Sequence, residues 1–318
     1  MNSDQYSQYT QSKSLNIYFY ASVIIVPIGI LLNLKSFLLF HEDRVKNQIS
    51  FQYRTVIIFK VVTFFWSIVI YRYLPLSGIN LDTYSQITCA LFTYISRVLQ
   101  QIPFYILTYL AYLNYLSVIH SPNFKRLNKN SNFVLSVILI IFILLIFNIP
   151  SSINHIKVYN NTYYNTSIVK CVSYSNTISA IGLFVTSFIR FFFPFIVVNI
   201  YNFKSLNYLI SIKKSNNASL DDEKKLAFTF IFFDILSAVF NLPLACLQII
   251  LGVNQYELNY SIDTLNESNI SIIYEITRIL AWSYYFFPNL LAFFFNKIER
   301  DSLIAVFKKI INITTIKS

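Results

Sequence analysis

The chain has 318 residues, 55% of them hydrophobic, 18% aromatic and only 12% charged, with a formal net charge of +11. A soluble globular domain is about one quarter charged, so this composition excludes an ordinary water-exposed surface and points to a bilayer as solvent. Four glycines leave little room for a phosphate-cradling loop, and three cysteines and three histidines without a Cys-x-x-Cys leave no obvious metal cluster.

In chain order, residues 1–14 are polar and carry one lysine, which is not the basic start of a cleaved signal. Seven runs then reach the length at which a helix can cross the hydrocarbon core, near residues 15–40, 50–74, 86–119, 133–152, 177–206, 225–252 and 272–295. The first is too long for a signal h-region and reads as an anchor that stays in the protein. The fourth, FVLSVILIIFILLIFNIP, and the fifth, AIGLFVTSFIRFFFPFIVVNIYNF, are the plainest. The second and third are interrupted by Arg54, Lys60, Arg97, Gln100 and Gln101. Residues 296–318 contain NKIERDSLIAVFKKIINI, whose charged and apolar faces alternate at helical spacing, as in a helix lying on a membrane surface. The expected organisation is therefore an all-α membrane protein: an outer tail over 1–14, a seven-helix bundle over 15–295, and an inner amphipathic helix and tail over 296–318.

Orientation follows from the basic residues. Lys125, Arg126, Lys129, Lys213, Lys214, Lys224, Lys225, Lys308 and Lys309 fall on one side, against Lys13, Lys157 and Lys170 on the other, with Arg72 and Arg278 at helix ends. The positive-inside rule places the N-terminus outside and the C-terminus in the cytoplasm, and the plasma membrane is the expected location. Sequons at Asn160 and Asn165, and at Asn259, Asn266 and Asn269, fall in outer loops and make these the candidate glycosylation sites. The basic charge is spread over short loops and is suited to lipid headgroups or a protein partner. Nothing resembles a basic nucleic-acid domain with stacking aromatics.

Several residues occur in a telling order: GILLN ending at Asn33, Cys89 at the start of the third run, LNY at 113–115 followed by SVIHSP, Cys171 in the second outer loop, then Pro194, Pro243 and Pro288 in the last three runs. This pattern resembles the rhodopsin-like G protein-coupled receptors, most of all divergent invertebrate members related to FMRFamide-type peptide receptors. The resemblance implies a receptor for an extracellular ligand, such as a peptide, that activates a heterotrimeric G protein. It also implies a Cys89–Cys171 disulfide and places Asn114 and Tyr115 at the cytoplasmic switch, where the family carries Asp-Arg-Tyr. Asn114 departs from that pattern, because an amide lacks the charge and fork of guanidinium. Lys60 stands near the family's sodium-binding aspartate, Asn241 replaces the tryptophan before Pro243, and Leu291 stands where the tyrosine after Pro288 is expected. These departures keep a second class open: a seven-helix decoy, trafficking partner, ligand-gated channel or chemosensor.

Charges inside spans are costly and mark function. Helical spacing can turn Arg97, Gln100, Gln101 and Arg190 toward one outer cavity, with Gln248, Trp282 and Tyr285 from the last two helices. Two guanidinium groups there suit a carboxylate, a phosphate or a row of carbonyls; snorkelling, or pairing with Glu275, is the competing reading. Lys60 and Asp234 are satisfied separately, by backbone or water, in the favoured reading, and form an inner ion pair in the alternative. Cys246 is expected to be a small buried apolar residue. No nucleophile–base order, paired carboxylate or phosphate loop is present, so no enzyme activity, metal or cofactor is expected.

Overall fold

The computed structural model describes residues 23–25, 27–34, 48–67, 81, 84–153, 156–163, 166–173, 176–212, 236–253 and 269–287. The tail over 1–14, the surface helix expected over 296–318, Pro288, Asp234, Asn165, Asn259 and Asn266 lie outside the described residues.

The elements are α1 (Val23–Leu34), α2 (Gln48–Phe65), α3 (Gln86–Val118), α4 (Pro122–Leu127), α5 (Asn130–Ile153), β1 (Ile156–Tyr163), β2 (Thr166–Ser173), α6 (Asn176–Ser187), a π-helical turn (Phe188–Phe192), α7 (Phe193–Ile212), α8 (Leu236–Val253) and α9 (Asn269–Ser283). Helix falls in each of the seven windows expected from sequence. Among the described residues, three helical stretches are long and apolar enough to cross a membrane: Asn130–Ile149, Ile181–Ser211 and Leu236–Val253. The shortest, the 18-residue Leu236–Val253, is about 27 Å long at 1.5 Å per residue, close to the thickness of a hydrocarbon core. The protein is thus predominantly helical and suited to a membrane. To the helical expectation the structure adds one antiparallel hairpin, with Val158 opposite Cys171 and Ile156 opposite Ser173.

The apolar pattern is inverted relative to a soluble bundle. On α5, Leu135, Ile138, Leu139, Phe142 and Ile146 face outward, while Phe133, Val137, Leu144 and the amide of Asn148 face the interior. Lipid makes an outward leucine cheap and an unpaired inward polar group dear, so cohesion falls to close packing and interhelical hydrogen bonds.

Helix α3 is the central post, packed against α2, α5 and α7. It starts on a capping box: Ser85 Oγ accepts from the Thr88 amide, and Thr88 Oγ1 accepts from the Ser85 amide. It ends where His120 takes φ 51°, with the His120 amide donating to Ser117 and the Ser121 amide to Leu116, a Schellman closure. Pro122 then opens α4 with a residue that has no amide to donate. The run ending in His-Ser-Pro is therefore one continuous buried helix that stops on local turn chemistry.

Close approach is enforced where α1 meets α2. A Cβ added at Gly29 would lie 2.6 Å from Phe64 Cζ, so only glycine lets these helices pack as they do. Asn33, fully buried one turn later, donates back to the Gly29 carbonyl at 2.8 Å.

Two prolines shape the bundle in the same way. Pro103 inside α3 has no amide for the Leu99 carbonyl four residues back, and Thr63 Oγ1 of α2 donates to that carbonyl at 2.7 Å. Ahead of Pro194, the Phe193 amide reaches back five residues to Phe188, which deprives the Ile189 carbonyl of its helical donor. Tyr105 Oη of α3 donates to it instead, at 3.1 Å. Each hydroxyl closes a backbone gap that lipid could not fill.

Thr63→Val should therefore lower the melting temperature of the purified protein, by about 0.6–1.7 kcal/mol of stability, and Thr63→Ser should restore it. Thr108→Val is the control, since Thr108 bonds only the Phe104 carbonyl of its own helix. Equal losses at both positions would remove the proline-compensation account.

Candidate functional site

The sequence singled out a cluster of polar and charged residues near Arg190, and the side chains divide into two groups. Arg190 lies in the π-turn, 7% exposed, and its Nη1 donates to Gln100 Oε1 at 2.7 Å. Gln100 Nε2 in turn points to Ser67 Oγ, just past α2, at a long 3.4 Å. Tyr285, fully buried after α9, lies against the Arg190 guanidinium, with its hydroxyl near hydrogen-bonding reach of it. Hydrogen-bond geometry is nevertheless not met, and both Arg190 Nη2 and Tyr285 Oη are buried without a hydrogen-bond partner. One turn before Arg190, Ser187 Oγ donates to Gln248 Oε1 of α8 at 2.9 Å. A polar layer thus runs from Ser67 through Gln100 and Arg190 to Tyr285, with the Ser187–Gln248 pair beside it.

Gln101 belongs elsewhere. It is 2% exposed and forms a reciprocal amide pair with Asn148 of α5, at 2.8 Å and 3.4 Å. Adjacent helical residues point about 100° apart, so Gln100 and Gln101 serve different neighbours, and the single shared cavity expected from spacing is divided. Arg97 is half-buried on α3, three residues before Gln100. Trp282 is buried beside Tyr285 in one apolar cluster with Phe64 and Phe286.

Glu275 is the only carboxylate among the described residues. It is engaged on its own helix by Arg278 at 3.1 Å, and Arg278 also lies 4.5 Å from the Tyr274 ring centre and 6.0 Å from that of Trp282. The competing reading, Arg190 neutralised by Glu275, is not what these side chains do.

Lys60 is buried in the middle of α2. Its ammonium lies 4.9 Å from the centre of the Tyr284 ring, and Tyr284 stacks on Phe104 of α3 at 5.6 Å and 12°. An aromatic face thus offsets part of the burial cost of the charge. Asp234, its conceivable partner, is outside the described residues.

At the far end of α3, Asn114 is buried and its Nδ2 has no partner. Tyr115 packs against Tyr201 at 5.7 Å, with Lys204 6.0 Å from its ring centre. Pro194 is buried in α7, Asn241 of α8 donates to the Ser237 carbonyl at 3.0 Å, and Pro243 is half-buried. Cys89 is buried and disulfide-bonded. Cys171 lies on β2, and β1 of the same hairpin packs against α3. Cys246 is free and exposed on α8, a correction to its expected burial: the helix turns it outward between buried Ala245 and Gln248. Asn160 lies on β1 and Asn269 opens α9.

Sequence reasoning missed Ser67, Ser187, Asn148, Tyr105 and Tyr284. Ser187 could have been found, since it lies one turn before Arg190 on the same face. The others carry no local signal, because their partners are 33 residues or more away in sequence. The chain matches no protein-family model and no curated protein.

A double-mutant cycle tests the cation–π contact. Tyr284→Leu should destabilise the protein more when Lys60 is present than in a Lys60→Met background, with a coupling of about 1–2 kcal/mol. Zero coupling in thermal unfolding would show that Lys60 is accommodated in some other way.

Proposed function

We propose that this chain is a seven-span receptor of the rhodopsin-like kind, with its N-terminus outside, that senses an extracellular ligand and activates a heterotrimeric G protein. One observation carries the reading: buried donors without partners, Arg190 Nη2 and Tyr285 Oη, where the long fifth-window helix meets α3 and the segment after α9. Buried polar groups are normally satisfied, and exceptions call for a functional account. A ligand group received there would touch helices from three different windows at once. The site also lies one turn from Pro194, where the π-turn already interrupts the helix. A ligand that binds one arrangement of these helices better shifts the population toward it, and the shift reaches the Asn114 end along α3 and α7.

Supporting points are the helix in each of the seven windows, the disulfide at Cys89, read as closing onto Cys171, and the Gly29–Asn33 packing of the first window. The glycosylation sites, the surface helix and the plasma-membrane location belong to the same proposal.

A second reading is favoured by one residue. Asn114 offers a single buried amide where the family resemblance implies a guanidinium. A bundle of the same fold that binds ligand without engaging a G protein would fit that end equally well.

Cells carrying tags on both tails should expose only the amino tag before permeabilisation. Membranes challenged with peptide and small-molecule pools should accelerate guanine-nucleotide exchange, and Arg190→Gln should abolish that response at equal surface expression. Ligand binding without exchange selects the second reading, and an exposed carboxyl tag refutes both.

A further inference from the structure

The proposed binding site can be given a chemistry. Among the described residues, two buried groups beside it lack a hydrogen-bond partner, the Nη2 amine of Arg190 and the hydroxyl of Tyr285; the first can only donate and the second retains a proton to donate. Gln100 Oε1, an acceptor beside them, is already engaged by Arg190 Nη1 at 2.7 Å. Arg190 is buried, permanently charged and forms no ion pair among the described residues, where the sole carboxylate, Glu275, is held by Arg278. The other buried charge among the described residues, Lys60 beyond the Tyr284 ring, is also positive. A guanidinium removed from water is stable only when it is paired and its hydrogens are satisfied.

We infer that the ligand presents a single carboxylate, which accepts from Arg190 and Tyr285 through its two oxygens and supplies the counter-charge that no described residue provides. The inference rests on the receptor reading for the location of the site, but not on G protein coupling. Lys60 is turned onto the Tyr284 ring, so one guanidinium and one hydroxyl are the groups left to bind an anion, and two donors match the two oxygens of a carboxylate better than the oxygens of a phosphate. A carboxamide would place an amine against these donors and add no charge. The ring of Phe104 lies 6.5 Å from that of Tyr285, and Trp282 and Phe64 share its cluster. The rest of the ligand is accordingly apolar: an aryl or alkyl acid, or a peptide with a free and not an amidated C-terminus.

The experiment uses the full chain in lipid nanodiscs and measures melting temperature with benzoate, phenylacetate and 4-phenylbutyrate at millimolar concentration, each beside its carboxamide. At least one acid should raise the melting temperature by about 2–4 °C, with its amide inert. Arg190→Gln should abolish the shift, Arg190→Lys should keep part of it, and Tyr285→Phe should weaken the acid by about tenfold. If Arg190→Gln does not fold, the lysine and phenylalanine variants carry the comparison. Acid and amide acting alike, no acid acting at all, or an acid effect that survives loss of Arg190 or is untouched by Tyr285→Phe would each overturn the inference. A positive shift in a protein that drives no nucleotide exchange would refute only the signalling half of the proposed function.

Discussion

The arrangement of this bundle depends on a constraint that water would relax: a backbone carbonyl inside lipid needs a donor from the protein itself. Pro103 and Pro194 each interrupt a long helix, and each leaves a carbonyl nearby without its helical partner. The donors come from other helices, Thr63 for Leu99 and Tyr105 for Ile189. These bonds fix rotation as well as distance, since a hydroxyl meets a buried carbonyl only when both helices present the correct face. Helix α3 takes part in both, as acceptor toward α2 and as donor toward the π-turn, and for this reason it is the post around which its neighbours are set.

The polar layer follows from that setting. With α3 oriented by Thr63 and Tyr105, Gln100 faces Arg190 and Gln101 faces Asn148, roughly a quarter-turn apart. The π-turn that frees the Ile189 carbonyl also carries Arg190, so the same local irregularity that tightens α3 against its neighbour presents the guanidinium. Structural need and a candidate binding function thus share five residues. Gln101–Asn148 is paired reciprocally, amide to amide, and reads as glue. Arg190–Tyr285 is unsaturated on both sides and reads as a receiving site. Saturation, more than polarity, separates the two.

Much of the fold was legible in the chain. Apolar runs located the helices, and the fourth, fifth and sixth windows contain helices that can span by length and composition. The second and third read more weakly because Arg54, Lys60 and Arg97 dilute them, although they are just as helical. The hairpin at 156–173 was read as a loop, since its alternation is broken by asparagines and threonines and its pairing depends only on its two strands meeting. At the site, Arg190, Gln100 and Tyr285 could be named from the cost of burying polar groups. Their partners could not, because a serine or tyrosine in an aromatic-rich chain looks like any other.

By itself the sequence determined the solvent, the positions of the helices and the residues too expensive to bury without purpose, because these follow from composition and from periodicity within one segment. Only the tertiary structure decided which glutamine met the arginine, that Lys60 rests on Tyr284, that Cys246 faces outward, and that Glu275 is spent on Arg278. The reason is geometric. Each of these outcomes depends on the rotation of a helix about its axis, which is set by packing and hydrogen bonds to neighbours far away in sequence and leaves no trace in the local pattern.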